Sequence, residues 1–235
     1  MKIHLISLSL ILANISLTAG ERIDHLVKNG DLVFDIGAHN GDKTINYLQS
    51  GAQVICFEPQ PLCIEKLQTR FKMNQSVTIV PKGLGSTKTM LRLMICSQAP
   101  TISTINPEWK EGRFKHFAWD KEIMVEITTL DKAIKEFGLP NFCKIDVEGF
   151  ELEVLKGLSQ PIPCLSFEIT AEYLNNAEEC LQLLANIGYT KFNFGEGESP
   201  FLKFDTYLNK NEIITILQVL SQNNSDLWGD IYAKM

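Results

Sequence analysis

The stretch Leu32-Val-Phe-Asp-Ile-Gly-Ala-His-Asn-Gly41 constrains this chain more than any other. Apolar and β-branched residues run as a strand into Asp35. Gly37 and Gly41 allow a tight turn and a close backbone approach, and the residues from Asp42 onward read as the first turn of a helix. A strand-turn-helix unit of this kind turns free amides toward whatever binds beside it. A second strand over 53–58 delivers Glu58 at the roughly 20-residue offset at which such folds hold ribose hydroxyls. The implied ligand is nucleotide-like. The alternative is that Gly37 and Gly41 serve only a tight turn in some other α/β protein.

The glycine spacing narrows the ligand. A dinucleotide fingerprint has glycine at the first, third and sixth positions of the turn; here the third is His39 and the sixth is Asp42, an acid where a pyrophosphate would approach. A cofactor with ribose hydroxyls, no phosphate and a cationic end near Asp35 fits better, which points to S-adenosylmethionine. A nucleotide-sugar or dinucleotide enzyme is the weaker alternative.

Downstream, the pattern predicts a helix over 62–71, a strand over 77–80, a turn over 82–86, and strands over 90–96 and 123–129. Between the last two lies an irregular insert carrying Ser103, Thr104, Trp109 and Trp119; a loop that long in a compact domain is more often functional. Its segment 109–119 interleaves basic and aromatic residues, as a substrate lid or a solvated amphipathic stretch would. A helix over 130–137, a strand over 142–147 ending at Asp146, and a helix over 148–157 come next, followed by a strand over 164–169. The last predicted elements are a helix from about 172 to 187, a strand over 189–194, a helix around 212–220 and a strand over 228–233. This alternation implies an α/β, doubly wound, mostly parallel sheet. Ligands collect at the carboxyl ends of such strands, where Asp35, Glu58, Asp146 and Glu168 all fall.

Composition removes other classes. A formal charge of −6 with no long Lys/Arg run argues against a nucleic-acid backbone as partner. Six cysteines show no Cys-x-x-Cys pair, and the four histidines are scattered, so no zinc site is expected. Cys56, Cys143 and Cys164 sit in strand-like runs, as buried free thiols do. Residues 1–20 combine a cation, an apolar stretch and small residues, which fits a signal peptide; the minimal charged region and the absence of disulfide logic favour the cytoplasm, with export as the alternative. A membrane partner is expected only if that segment is retained. Residues 21–235 read as one domain.

From about Leu32 to Ile169 the chain resembles the FkbM family of S-adenosylmethionine-dependent methyltransferases. The resemblance rests on four motifs in order: the turn over 33–41, Phe57-Glu-Pro59, Thr128-Thr-Leu-Asp131, and Lys144-Ile-Asp-Val-Glu-Gly-Phe-Glu151 with Val154-Leu-Lys-Gly157. His39 departs from the small or amide residue more usual there. The resemblance implies the seven-stranded, Rossmann-like class I methyltransferase fold and O-methylation of a hydroxyl on a small molecule or saccharide; a non-catalytic cofactor-binding module is the alternative from another class. The expected cofactor-binding residues are Asp35, Gly37, Ala38, His39, Asn40, Gly41, Glu58, Pro59, Gly83, Leu84 and Asp146. Asp146 is the first choice as base or acceptor-orienting group, with Glu148 and Glu168 next. Each acid has a structural alternative: Asp146 pins the loop after its strand, and Glu148 favours the following helix's N-terminus through the dipole. His39 in turn either touches the cofactor, caps the helix or serves as a base. A carboxylate is a weak base unless desolvated, so base duty calls for a tuned pKa or a hard cation on Asp146, Glu148 and Glu168; the expectation adopted carries no metal.

Overall fold

The computed structural model describes residues 20–235; apart from Gly20, the expectation for residues 1–20 lies outside them. β1 (Leu32–Ile36), α1 (Asp42–Gln49), β2 (Gln53–Phe57), α2 (Pro61–Arg70) and β3 (Val77–Val80) alternate as the apolar periodicity requires. β4 (Gly83–Leu84), β5 (Thr89–Ile95) and β6 (Lys121–Thr128) interrupt the rhythm. It resumes through α3 (Leu130–Phe137), β7 (Phe142–Ile145), α4 (Glu151–Leu155) and β8 (Cys164–Thr170). α5 (Leu174–Asn186), β9 (Lys191–Glu196), α6 (Lys210–Asn223) and β10 (Trp228–Lys234) complete the chain.

Seven strands form one sheet in the order β3-β2-β1-β7-β8-β10-β9. The pairs from β3 to β8 are parallel, and β10 runs antiparallel to both β8 and β9. The doubly wound, mostly parallel, seven-stranded architecture is therefore present. Both faces are covered: Phe34, Ile36, Phe57, Ile145 and Phe167 enter one core, while Val33, Val54, Cys56, Phe142 and Cys164 enter the other. This two-residue alternation explains why the central strands read as unbroken apolar runs. All six cysteines are buried and free. No helix among the described residues is long and apolar enough to cross a membrane.

Four expectations need correction. Residues 82–86 are not simply a turn, because Gly83 and Leu84 pair in parallel with Ile127 and Thr128. The strands read at 90–96 and 123–129 leave the main sheet and build a separate three-stranded one, β4-β6-β5. The helix expected over 148–157 shrinks to Glu151–Leu155 because Glu148 (φ 57°) and Gly149 (φ 85°) are left-handed, which breaks helical continuation. Glu148 therefore does not act through a helix dipole. The strand expected at 189–194 starts later, at Lys191, since the fully buried Tyr189 turns its hydroxyl to the Ile162 backbone.

Candidate functional site

β1 lies where the strand order changes direction, between β2 and β7, and a crevice opens at the carboxyl ends there. The cavity measures about 240 Å³ and is lined by every residue from Asp35 to Asn40, by Glu58, Pro59, Gly83 and Leu84, and by Asp146 and Glu148. Gly41 stands behind it. Its left-handed φ of 82° lets the chain enter α1, and the Leu67 and Phe71 side chains of the second core close against it.

Glu58 is the centre of the cradle. One carboxylate oxygen accepts the His39 N–H at 2.9 Å and the other accepts the Gln60 N–H at 2.8 Å. Those two donors fix the carboxylate plane and leave lone pairs on both oxygens for a diol. Burial pushes its pKa up to about 7, against the pull of the two amides. Around it, His39 Nε2, Asn40 Oδ1 and Gln60 Oε1 are buried without a partner among the described residues. Unmet polar atoms on one wall of a cavity are what a polar ligand would satisfy. Asp35 sits deeper, with the Thr44 hydroxyl donating to it at 2.5 Å, and burial raises its carboxyl to about 6. His39 does not cap α1, whose N-cap is Gly41 with no side-chain bond; burial lowers its imidazole, with Lys66 adding to the effect.

The opposite wall is acidic. Lys144 is buried and donates to Asp146 at 3.1 Å and to Asp230 at 2.7 Å. Burial alone would depress its pKa, but the two carboxylates hold it charged. Asp146 thus faces the cavity from just beyond the tip of β7 with one oxygen anchored. Glu148 and Glu168 are pushed well above ordinary carboxylates, by burial first and then by neighbouring acids. The structure brings Asp146, Glu148 and Glu168 together, with one ligand oxygen of each within 4.8 Å of the others. Glu168 does not line the main cavity but a small recess behind it with Trp109 and Tyr173.

The insert closes this wall. The Thr104 hydroxyl donates to the Glu148 carbonyl at 2.6 Å, and the Asn106 side-chain amide donates to the Gly149 carbonyl at 2.9 Å. Trp109 is buried, stacks on Tyr173 with centroids 5.2 Å apart, and leans on Phe114. Arg113 forks onto Glu172. The segment 109–119 is therefore partly docked against α5's entry rather than a solvated face. Thr44, Gln60, Lys144 and Asp230 were missed by sequence reasoning. Thr44 carries a local signal, since the first turn of a helix after a βα turn faces back onto its strand. Asp230 carries none, because only the antiparallel return of β10 brings it to Lys144.

The chain matches the Methyltransferase FkbM domain over residues 35–191. It is 30% identical over 135 residues to the methyltransferase sdnD of Sordaria araneosa, covering 46% of this chain and 52% of the relative. It is 28% identical over 142 residues to the hexuronic acid methyltransferase AglP of Haloferax volcanii, covering 59% of this chain and 54% of the relative. The chain thus spans about half the length of the curated relatives it matches. Among solved structures, a precorrin-6y C5,15-methyltransferase from Geobacter metallireducens superposes with a TM-score of 0.47 at 12% identity, covering 89% of this chain and 83% of that one. The family match takes in more than half the chain and nearly every element that walls the cavity, and on that basis this protein belongs to the FkbM methyltransferase domain family.

Proposed function

We propose that the protein is an S-adenosylmethionine-dependent methyltransferase that transfers the methyl group to a hydroxyl of a small molecule or saccharide. The observation that carries this reading is Glu58, a buried carboxylate held in plane by two backbone amides on the wall of a cavity with three unpartnered polar atoms. When bound, the sulfonium cofactor supplies a methyl group already activated for in-line displacement. What remains for this chain is to bind, align and exclude water.

In this reading Glu58 clasps the ribose diol, the turn over 37–41 brings its backbone against the cofactor, and Asp35 offers negative charge toward the cationic end. Gly83 and Leu84, fixed by pairing with β6, form the floor. Asp146, kept in one orientation by Lys144, meets the acceptor hydroxyl and takes its proton, with Glu148 and Glu168 beside it. General-base assistance of this kind is worth roughly 10² to 10⁴ in rate. The insert residues Thr101, Ser103 and Thr104 face the same cavity and would select the acceptor. The hexuronic acid named for the Haloferax volcanii relative is a saccharide, which supports a saccharide acceptor here. A donor made in the cytosol favours that compartment, and the strands beyond residue 191 complete the same sheet, which supports reading 21–235 as one domain.

Calorimetry with S-adenosylhomocysteine tests the cofactor half: Glu58→Ala should weaken binding at least about tenfold, since it removes charge-assisted bonds worth roughly 1.5–3 kcal/mol. Unchanged affinity would move the ribose elsewhere. For the chemical half, Asp146→Asn should keep the cofactor and lose turnover of labelled donor with a hydroxyl-bearing extract by roughly 10²-fold or more. Wild-type rates in that variant would remove Asp146 from the chemistry.

A further inference from the structure

Beside the crevice that holds Glu58 lies a second, larger cavity of about 470 Å³, a size in the range of small-molecule sites. α1 walls it on one side, and residues 22–27 with the loop 197–200 wall it on the other. Its most buried lining residues, Lys144 and Tyr232, stand with Asp230 at its base. Lys43, Lys144 and Glu198 line both cavities, so the two are contiguous. Lys144 donates to Asp146 on the crevice side at 3.1 Å and to Asp230 on the chamber side at 2.7 Å. A single ammonium separates the two carboxylates.

The lining says what kind of ligand fits. Among the described residues, every cation on this wall is bound to an acid that also lines it: Arg22 to Asp24 at 2.8 Å, Lys43 to Glu198 at 2.6 Å and Lys144 to Asp230 at 2.7 Å. An anionic ligand would give up hydration and meet no free cation. What the chamber does offer is neutral and polar. Asn46, Gln49 and Ser50 follow one another at helical i, i+3 and i+4 spacing, which puts them on one face of α1 and at its end, against the cavity. Amides and hydroxyls both donate and accept, which matches sugar hydroxyls that do the same. Tyr47 and Tyr232 add aromatic surface with a polar end. Residues 22–27, the loop 197–200 and β10 all fall outside the span 35–191 that matches the family, so this wall is where the chain can set its own acceptor.

We propose that this chamber holds an uncharged saccharide, the body of the acceptor whose reacting hydroxyl enters the crevice past Lys144. The inference rests on the methyl-transfer reading and narrows its acceptor from any hydroxyl compound to a neutral sugar. Thr101, Ser103 and Thr104 of the insert then meet only the reacting end. The rest of the sugar lies against α1 and the loop 197–200.

The test is a microarray of neutral and uronic-acid-bearing oligosaccharides, probed with the labelled full chain and saturating S-adenosylhomocysteine, with calorimetry of S-adenosylhomocysteine in parallel. Wild type should bind neutral oligosaccharides and pass over the uronic acids. The double variant Asn46→Ala/Gln49→Ala removes two amides from exposed positions that line the chamber and not the crevice. It should lose saccharide affinity about tenfold and keep both the wild-type melting temperature and the affinity for S-adenosylhomocysteine. Gln49→Lys supplies an unpaired cation and should let uronic acids bind. A preference of wild type for uronic acids, no binding to any neutral oligosaccharide, or equal saccharide affinity in the double variant overturns the chamber. S-adenosylhomocysteine binding without saccharide binding sinks the chamber and leaves methyl transfer standing; saccharide binding that the double variant abolishes, without S-adenosylhomocysteine binding, supports the chamber and sinks the cofactor reading.

Discussion

At Gly37 the absent side chain is a steric requirement. The residue has φ 82°, and a Cβ there would sit 1.8 Å from the Asp146 carbonyl oxygen, so β1 and β7 can approach at their tips only if this position is glycine. Gly37→Ala adds left-handed strain to overpacking against backbone, neither of which can relax through a side-chain rotation. A loss of roughly 2–5 kcal/mol in urea denaturation is expected; a loss under about 1 kcal/mol would mean the two tips separate easily. Gly37 was legible because a glycine between an apolar strand and a helix start has few other uses, and Glu58 because its offset from that turn is set by one βαβ repeat. The Glu58 cradle was not legible in detail. Gln60 contributes a backbone amide, a group any residue but proline carries, so its identity gives no signal.

At the scale of elements, the sequence announces strands more clearly than it announces sheets. β5 and β6 alternate as strands should, yet nothing in a period of two says which partner a strand will choose; they pair with each other antiparallel and leave the main sheet. The small sheet anchors the insert, and the insert in turn grips the loop after β7. Thr104 is the hinge of that grip: β5's Met94 exchanges backbone bonds with it, its hydroxyl donates to the Glu148 carbonyl at 2.6 Å, and the same oxygen accepts the Asn106 N–H at 2.9 Å. Thr104→Val keeps the shape and deletes both bonds in a residue that is 1% exposed. The expected cost is about 2 kcal/mol, the desolvation of a carbonyl and an amide left unpaired. Because the loosened loop carries Glu148, turnover should fall more than S-adenosylhomocysteine affinity. Equal losses in both would place the grip on the cofactor side instead. The helix predicted from Glu148 failed for a related reason: an acidic start and a Lys-Gly end imitate helix termini, while the left-handed pair 148–149 depends on the carbonyls that Thr104 and Asn106 capture from afar.

For the whole molecule, the crevice gathers carboxyls that folding takes out of water, and this sets how stability responds to pH. Burial raises Asp35 to about 6 and both Glu58 and Glu151 to about 7, whereas the unfolded chain titrates them at about 4. Between those limits the folded state holds more protons than the unfolded state. The slope of stability with pH is therefore negative: the protein is most stable near the lower end of the window, loses stability as pH rises through about 6 to 7, and levels off above the folded values. Exposed pairs such as Arg22 with Asp24, whose carboxylate lies below its ordinary value, act in the opposite sense, but in more acidic solution. Urea denaturation at three pH values across the window should show a decline on the order of 1 kcal/mol per pH unit. Glu58→Gln removes one contributor and should flatten the curve near neutrality. S-adenosylhomocysteine should stabilise wild type more on the alkaline side, since a diol donating to Glu58 favours its charged form. Stability that climbs with pH across this window would show that water reaches these carboxyls in the folded state, and the dry cradle on which the cofactor assignment depends would have to be abandoned.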